Sequence, residues 1–404
     1  MGADDMGADD MVTVQPAHYK PATFEVIVVG AGPVGASLAR ALRGSSVALV
    51  SHERRENAPA APAAFDARVY ALSPGNVEFL RGLNAWQSLP AGRVTPVHAM
   101  RIFGDDGASC LAFDAYRAGV SELAWIVEDG ALQDALWRGL DVEIFAPAQC
   151  ERLTFQENAA VLRLKDGRSL STGLIVGADG AHSFVRGAAG IEAAQSDYGQ
   201  TAVVANFRCS KPHAHTAFQW FQGGAVLALL PLPGDQVSMV WSLPRVDAEG
   251  VKALAPEALC REVEAASRHA LGPLEMTTPQ KSYPLRRVAA RRLVGARVAL
   301  AGDAGHVIHP LAGQGLNLGL QDARALADTL AARESVRDPG DLRLLRRYER
   351  SRAEPILAMD AVVDGLHALF GAGNPLAARL RNAGLNLTER IPVLKNILMR
   401  HAMH

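Results

Sequence analysis

Short, continuously apolar runs that end on glycine recur along the chain. Residues 24–29 (FEVIVV) are β-branched and apolar without alternation, the pattern of a strand buried on both faces. A helical pattern covers Ala36–Arg43, and a second apolar strand is predicted over Val47–Val50. Leu174–Val176 runs into Gly177, and Arg297–Ala301 runs into Gly302; both repeat the strand-then-glycine arrangement. A helix carrying Asp322 is predicted from about Gly315. The middle of the chain reads differently. Thr201–Cys209, Ala225–Leu232 and Gln236–Leu243 alternate, as strands of an antiparallel sheet do. Near the end, Ile391-Pro392 opens a helix whose Val393, Leu394, Ile397 and Leu398 form one apolar stripe. The predicted fold class is α/β, with an inserted antiparallel sheet and a C-terminal helical region.

The glycine turns carry the chemistry. Gly30-Ala31-Gly32-Pro33-Val34-Gly35 lies between a buried strand and a helix, the context in which G-x-G-x-x-G binds a dinucleotide. Gly30 permits the tight turn, Gly32 lets backbone approach a pyrophosphate, and Gly35 lets helix and strand pack closely. An acid that binds the adenosine ribose is expected at the end of the second strand. Ser51 stands there instead, and Glu53 two residues on is either that acid or an exposed loop charge. Gly177-Ala178-Asp179-Gly180, with Ser183 and Arg186 after it, is either a turn or a carboxylate beside a nucleotide. In Gly302-Asp303-Ala304-Gly305-His306 and its continuation to Gly319, Gly313, Gly315 and Gly319 leave backbone N–H groups bare to a planar ring. A helix starting near Gly315 points positive charge at whatever sits there, which suits a reduced, anionic isoalloxazine. Asp303 suits sugar-like hydroxyls.

Composition narrows the class. The 404 residues carry 41 Lys and Arg against 42 Asp and Glu, a net charge of −1 without the basic excess of a nucleic-acid binder. No apolar run reaches the ~18–20 residues that span a bilayer. Cys110, Cys150, Cys209 and Cys260 are scattered, which argues against a zinc ribbon or a disulfide framework. His182, His306 and His309 lack metal-ligand spacing, so no metal is expected. The lead MGADDMGADDM has no basic or apolar signal region, and residues 1–20 are read as a disordered lead. The near-zero charge hides an asymmetry. Arg343, Arg346, Arg347, Arg350 and Arg352 crowd one segment, and from Leu376 onward Arg379, Arg381, Arg390, Lys395 and Arg400 face only Glu389. That tail either packs on the protein or rests on anionic lipid. A cytoplasmic protein, peripheral on the inner face of a membrane, is the expectation.

Together the motifs at 30–35, 177–186 (GADG-x-x-S-x-x-R) and 302–310 (GD-A-x-H-x-x-x-P) resemble the three FAD fingerprints of single-component aromatic-ring monooxygenases, the group typified by para-hydroxybenzoate hydroxylase. His309-Pro310-Leu311-Ala312-Gly313-Gln314-Gly315-Leu316-Asn317 resembles the ubiquinone-biosynthesis hydroxylases within it. So do Phe65–Ser73 (FDARVYALS), the segment from Tyr198 to Pro244, and the tail around Arg390–Ala402. The resemblance implies hydroxylation of a polyprenylated phenol by FAD, NAD(P)H and O₂ through a flavin hydroperoxide, with contacts to other proteins of that pathway. It implies Gly30, Gly32 and Gly35 at the pyrophosphate, Arg68 along the flavin or its pyrophosphate, and Asp179 near both FAD and nicotinamide. Asp303 is implied on the ribityl chain, and Gly315, Leu316 and Asn317 offer backbone to the pyrimidine edge. His309 is a catalytic candidate lining the cavity. Segments 24–85, 126–190 and 284–355 would make a Rossmann-like FAD-binding domain, 86–125 and 191–283 the substrate sheet, and 356–404 the C-terminal helical region. Trp220 stands where the subfamily often has Arg, which bears on the substrate. A hydroxylase of a soluble aromatic acid, a prenyl-reductase-like flavin enzyme and a non-catalytic flavin-binding subunit are the alternatives.

Overall fold

A computed structural model describes residues 22–55, 65–105, 109–309 and 314–371. The predicted lead, the tail from 376, and Pro310–Gly313 lie outside the described residues.

The first apolar run forms the strand Ala22–Val29 at the heart of a sheet. It pairs in parallel with Ser169–Gly177 on one side and Val47–Val50 on the other. Val298–Leu300 extends the parallel set beyond Ser169–Gly177, and Glu143–Phe145 extends it beyond Val47–Val50. Val26 and Val28 pack with Leu38, Leu326 and Tyr348 on one face, while Ile27 and Val29 pack with Leu162, Ile175 and Val185 on the other. Both faces are covered, which is why the run is apolar without alternation. The helices Pro33–Ala41 and Gly315–Ala331 lie on the first face, and the long helix Leu342–Gly371 packs beside the second of them.

The alternating middle segments form a nine-stranded sheet. Its centre is the strand Ala193–Cys209, antiparallel to Gln236–Pro244 on one side and to Lys281–Ala290 on the other. Ala225–Leu232, Thr216–Gln222, Ala99–Phe103 and Cys110–Asp114 continue from Gln236–Pro244. Alternation assigns two faces. Val203, Ala205, Phe207, Leu227, Leu229, Met239 and Trp241 pack against Leu259 and Val263 of the helix Pro256–Ala266. The opposite face carries Leu230, Leu232 and Ala217, which pack against Val97, Ile126 and Ala71 of a small three-stranded sheet.

Four expectations change. Lys281–Ala290 crosses the proposed boundary at 284 and belongs to the large sheet, as does His306–Val307 paired to it. The helix Leu342–Gly371 runs unbroken through 355–356, with Pro355 inside it. Arg352 is buried rather than part of the basic surface, because helical periodicity turns it inward from exposed Arg343, Arg346, Arg347 and Arg350. Trp220 is 1% exposed, stacked between Phe103 and Phe218 on the helix-covered face, so it says nothing about the substrate.

Candidate functional site

The first glycine turn divides its labour. Gly30 has φ 102°, and a Cβ there would stand 2.2 Å from the Ala178 carbonyl oxygen. A Cβ on Gly35 would stand 1.9 Å from the Gly30 carbonyl oxygen. These two glycines are therefore spent on protein packing. Gly32 differs, since a Cβ there would meet nothing within 4 Å. It is the N-cap of Pro33–Ala41 and has no side chain to accept from the first-turn N–H groups. The open space lies at a helix N-terminus, where anions are favoured. At the end of Val47–Val50, Ser51 is buried and its Oγ accepts from the Glu53 N–H at 3.3 Å. Glu53 is exposed, and its carboxylate lies 3.7 Å from His52.

The other two glycine motifs are tied to each other. Asp179 Oδ1 accepts from Ser183 Oγ at 2.5 Å, and Oδ2 accepts from the Val185 N–H at 3.1 Å. Ser183 in turn caps the helix Phe184–Ala188 by accepting from the Arg186 N–H. Both carboxylate oxygens of Asp179 thus serve the turn. Arg186 reaches across to donate to the Ala304 carbonyl at 2.7 Å and binds the Ala181 carbonyl at 2.8 Å. Gly302 sits at φ 60° against Val34, and its N–H donates to Asp322 Oδ2 at 2.9 Å. Asp303, next in the chain, is exposed. Desolvation by the protein around it still raises its carboxyl above the ordinary aspartate value, against the pull of His306 and Arg68.

The helix Gly315–Ala331 starts at this cleft. Gly315 has open space where a Cβ would be, and Leu316 packs toward Leu72 and Leu80. Asn317 is fully engaged. Its Oδ1 accepts from the Ser73 N–H and from Asn76 Nδ2, both at 2.9 Å, and its Nδ2 donates to the Ala71 carbonyl. Only its backbone can face a ligand. The segment so anchored follows Arg68, whose exposed guanidinium lies 5.3 Å from the Tyr70 ring, 5.9 Å from Tyr283 and 4.0 Å from Asp129. Burial alone would lower the Arg68 pKa, but Tyr70, Asp129, Tyr283 and Asp303 raise it overall. Burial pushes the Tyr70 hydroxyl well up, and its bond to Asp129 adds to that.

His309 closes the cleft from the large sheet's side. Its Nε2 lies 2.7 Å from Gln200 Oε1, an oxygen that can only accept, so that nitrogen carries the proton. Gln200 Nε2 is fixed by the Gly224 carbonyl, and Tyr198 stands edge-on to the imidazole at 4.7 Å. Gln200 shares a face with Ala202, Val204 and Asn206, whose cross-strand partners Ser242, Val240 and Ser238 are equally small. The loop at Asp66 crosses this face, held by Asn206 Nδ2 at 2.8 Å and by Glu128 at 2.6 Å. Gln200, Tyr198, Asp129 and Tyr283 were not legible as site residues, because only strand register and long-range packing bring them here. Asp322 was legible as helical, but its task was not.

An elongated ligand with a pyrophosphate, a polyol and a planar ring fits what the turns leave free. There is bare backbone at Gly32 and Gly315, a helix N-terminus at each, and Asp303 between them. Comparisons with known proteins agree. The FAD binding domain family model matches residues 23–362. Ubiquinone hydroxylase UbiL of Rhodospirillum rubrum is 34% identical over 384 residues, spanning 94% of this chain and 89% of that protein. The 3-demethoxyubiquinol 3-hydroxylase of Escherichia coli is 32% identical over 387 residues, spanning 94% and 98%. Among solved structures, PqsL, a probable FAD-dependent monooxygenase from Pseudomonas aeruginosa, aligns with a TM-score of 0.75 at 26% identity, covering 90% of this chain and 99% of that one.

Proposed function

We propose, from the premise that this chain belongs to the FAD-binding monooxygenase family, that it hydroxylates the ring of a polyprenylated phenol in ubiquinone biosynthesis. The observation that carries this reading is the similarity to ubiquinone hydroxylases over 94% of the chain. The cleft supports it. Arg93, a cation that could otherwise meet an aromatic acid, has a side chain only 10% exposed and is held by Glu128 at 3.1 Å. The small residues Ala202, Val204, Ser238, Val240 and Ser242 suit a neutral ring, and the neighbouring Leu230 and Leu232 suit an apolar substituent.

FAD, reduced by an external nicotinamide donor, supplies the oxygen chemistry. The chain's task is to bind, orient and exclude water. In this reading Gly30, Gly32 and Gly35 form the pyrophosphate turn, Glu53 meets the ribose, and Asp303 holds the polyol. Gly315, Leu316 and Asn317 present backbone to the ring, and Arg68 lies along it. Asp179 acts through the turn it caps rather than by direct contact. His309, its tautomer set by Gln200, lies beside Tyr198 at the start of the segment that leads to Gly315. The test incubates holoprotein with NAD(P)H, O₂ and a prenylphenol and looks for the hydroxylated product by mass spectrometry. No product with any prenylphenol overturns the reading, and quinone profiling of a deletion strain names the ring position.

No described helix is long and apolar enough to cross a membrane. A membrane-dissolved substrate is then reached from the surface, and the exposed Arg343, Arg346, Arg347 and Arg350 with the basic segment 376–404 suit anionic lipid. Flotation with anionic liposomes checks this. Equal binding with and without residues 376–404 removes that segment from the account.

A further inference from the structure

Beneath the cofactor turn lies an ionic cluster that the proposed function does not use. Asp322 is 0% exposed. Its Oδ2 accepts from His306 Nε2 at 2.6 Å as well as from the Gly302 N–H, and its Oδ1 accepts from Arg352 Nε at 2.7 Å. Arg352, itself buried, also donates to the Leu318 carbonyl and Gln321. Four elements therefore meet at one carboxylate: the Gly302 turn, the strand leading to His309, the helix Gly315–Ala331 and the long helix Leu342–Gly371.

We propose that Asp322, His306 and Arg352 are positioning residues that set the Gly302–Asp303 turn and lay a net positive charge beneath the FAD site. The charge count is direct. One carboxylate is matched by one guanidinium, so a protonated His306 leaves the cluster at plus one, and a neutral His306 leaves it at zero. Burial alone would strip that proton, but the carboxylate and hydrogen bond of Asp322 hold the imidazole above the usual histidine value. The facing groups are accounted for. Asp303 lies on the cofactor side and favours the proton, and Arg352 opposes it. On the long helix Tyr348 donates to the Leu300 carbonyl, while Glu349 accepts from the Leu293 N–H. An unneutralised buried cation is costly unless an anion faces it. The cleft supplies Asp303 and, when FAD is bound, its phosphates and anionic reduced ring.

The inference rests on FAD binding alone and stands apart from the identity of the substrate. The test compares H306Q, which keeps a donor to Asp322 and removes the charge, with H306K, which keeps the charge. Dye equilibration of the holoprotein reads the FAD midpoint potential, and dilution reads FAD release. H306Q is expected to lower the potential and to release FAD about tenfold faster, which is ~1.4 kcal/mol, while H306K stays near the parent. If the two variants behave alike, or only melting temperature moves, the proposal is overturned. Should neither fold, R352Q against R352K makes the same comparison: a lower potential and faster release in R352Q alone support the proposal, and equal behaviour overturns it.

Discussion

Two glycines three residues apart should fail in opposite ways when replaced by alanine. In G35A the new methyl stands 1.9 Å from the Gly30 carbonyl oxygen. An ordinary contact needs about 3.5 Å, so one side must move by roughly 1.5 Å. The obstruction is the backbone of a turn at φ 102°, itself wedged against Ala178, so neither side can yield cheaply. Overpacking of this kind costs ~1–3 kcal/mol or more, of which the helix propensity of alanine returns at most ~1 kcal/mol. The apoprotein should therefore melt several degrees lower. In G32A the methyl meets no protein atom within 4 Å, and the φ of −65° suits any residue. Losing glycine at an N-cap costs about 0.5–1 kcal/mol, so the melt barely moves. The methyl instead occupies the space left for the pyrophosphate, and FAD affinity should fall about tenfold or more, ~1.4 kcal/mol at the least. Thermal melts of apoprotein and fluorescence titration with FAD separate the two effects. If G32A binds FAD like the parent, or destabilises the apoprotein as much as G35A, the division of roles is wrong.

Other positions give equally direct outcomes. N317A leaves the Ser73 N–H without its buried acceptor, while Asn76 Nδ2 keeps Ser73 Oγ and the carbonyl of residue 317, so unfolding in urea should show a loss of ~1–3 kcal/mol. Q200L should keep FAD, cost ~1–3 kcal/mol of stability for the buried His309 N–H it orphans, and lower kcat with little change in KM, because His309 loses the partner that sets its tautomer; unchanged steady-state kinetics would remove Gln200 from the site. The His306 contribution to stability is fully present below the unfolded value of about 6.5 and is lost as pH rises through the raised folded value. The Asp322 contribution is present above about 3.9 and is lost as pH falls through its lowered value, since His306 and Arg352 outweigh the burial that would raise it. The melting temperature should thus decline as the pH rises above about 6.5, and H306Q should flatten that decline in a pH series.

Local pattern was enough for the cofactor half. The apolar strands, the glycine at each strand end and the helix from Gly315 are features of adjacent residues, and a turn that needs glycine announces itself. The motif itself separates Gly32, which is to approach the ligand, from Gly30 and Gly35, which serve the turn and the packing. Asp179 read either as part of a turn or as a carboxylate beside a nucleotide, and its two oxygens accept from Ser183 and Val185 within the turn. The substrate half was harder for a physical reason. Which side of a strand faces the cleft depends on pairing partners a hundred residues away, so Trp220 could be placed only by finding Phe103 and the helix over it. Arg352 was misplaced because a charge in a basic run reads as solvated until its buried acid, Asp322, is known.

The order of strands in the parallel sheet sets a timetable for biosynthesis. Ala22–Val29 leaves the ribosome first, yet its partner Ser169–Gly177 follows some hundred and forty residues later, and Val298–Leu300 later still. Arg352, which completes the cluster at Asp322, comes last among these. Pairings so distant along the chain form slowly, and the nascent apolar strands wait with unsatisfied edges. FAD can be captured only after the helix Gly315–Ala331 has been made. Starving a cell of flavin should therefore leave chains already past Arg352 exposed to proteases, rather than stall an early folding step.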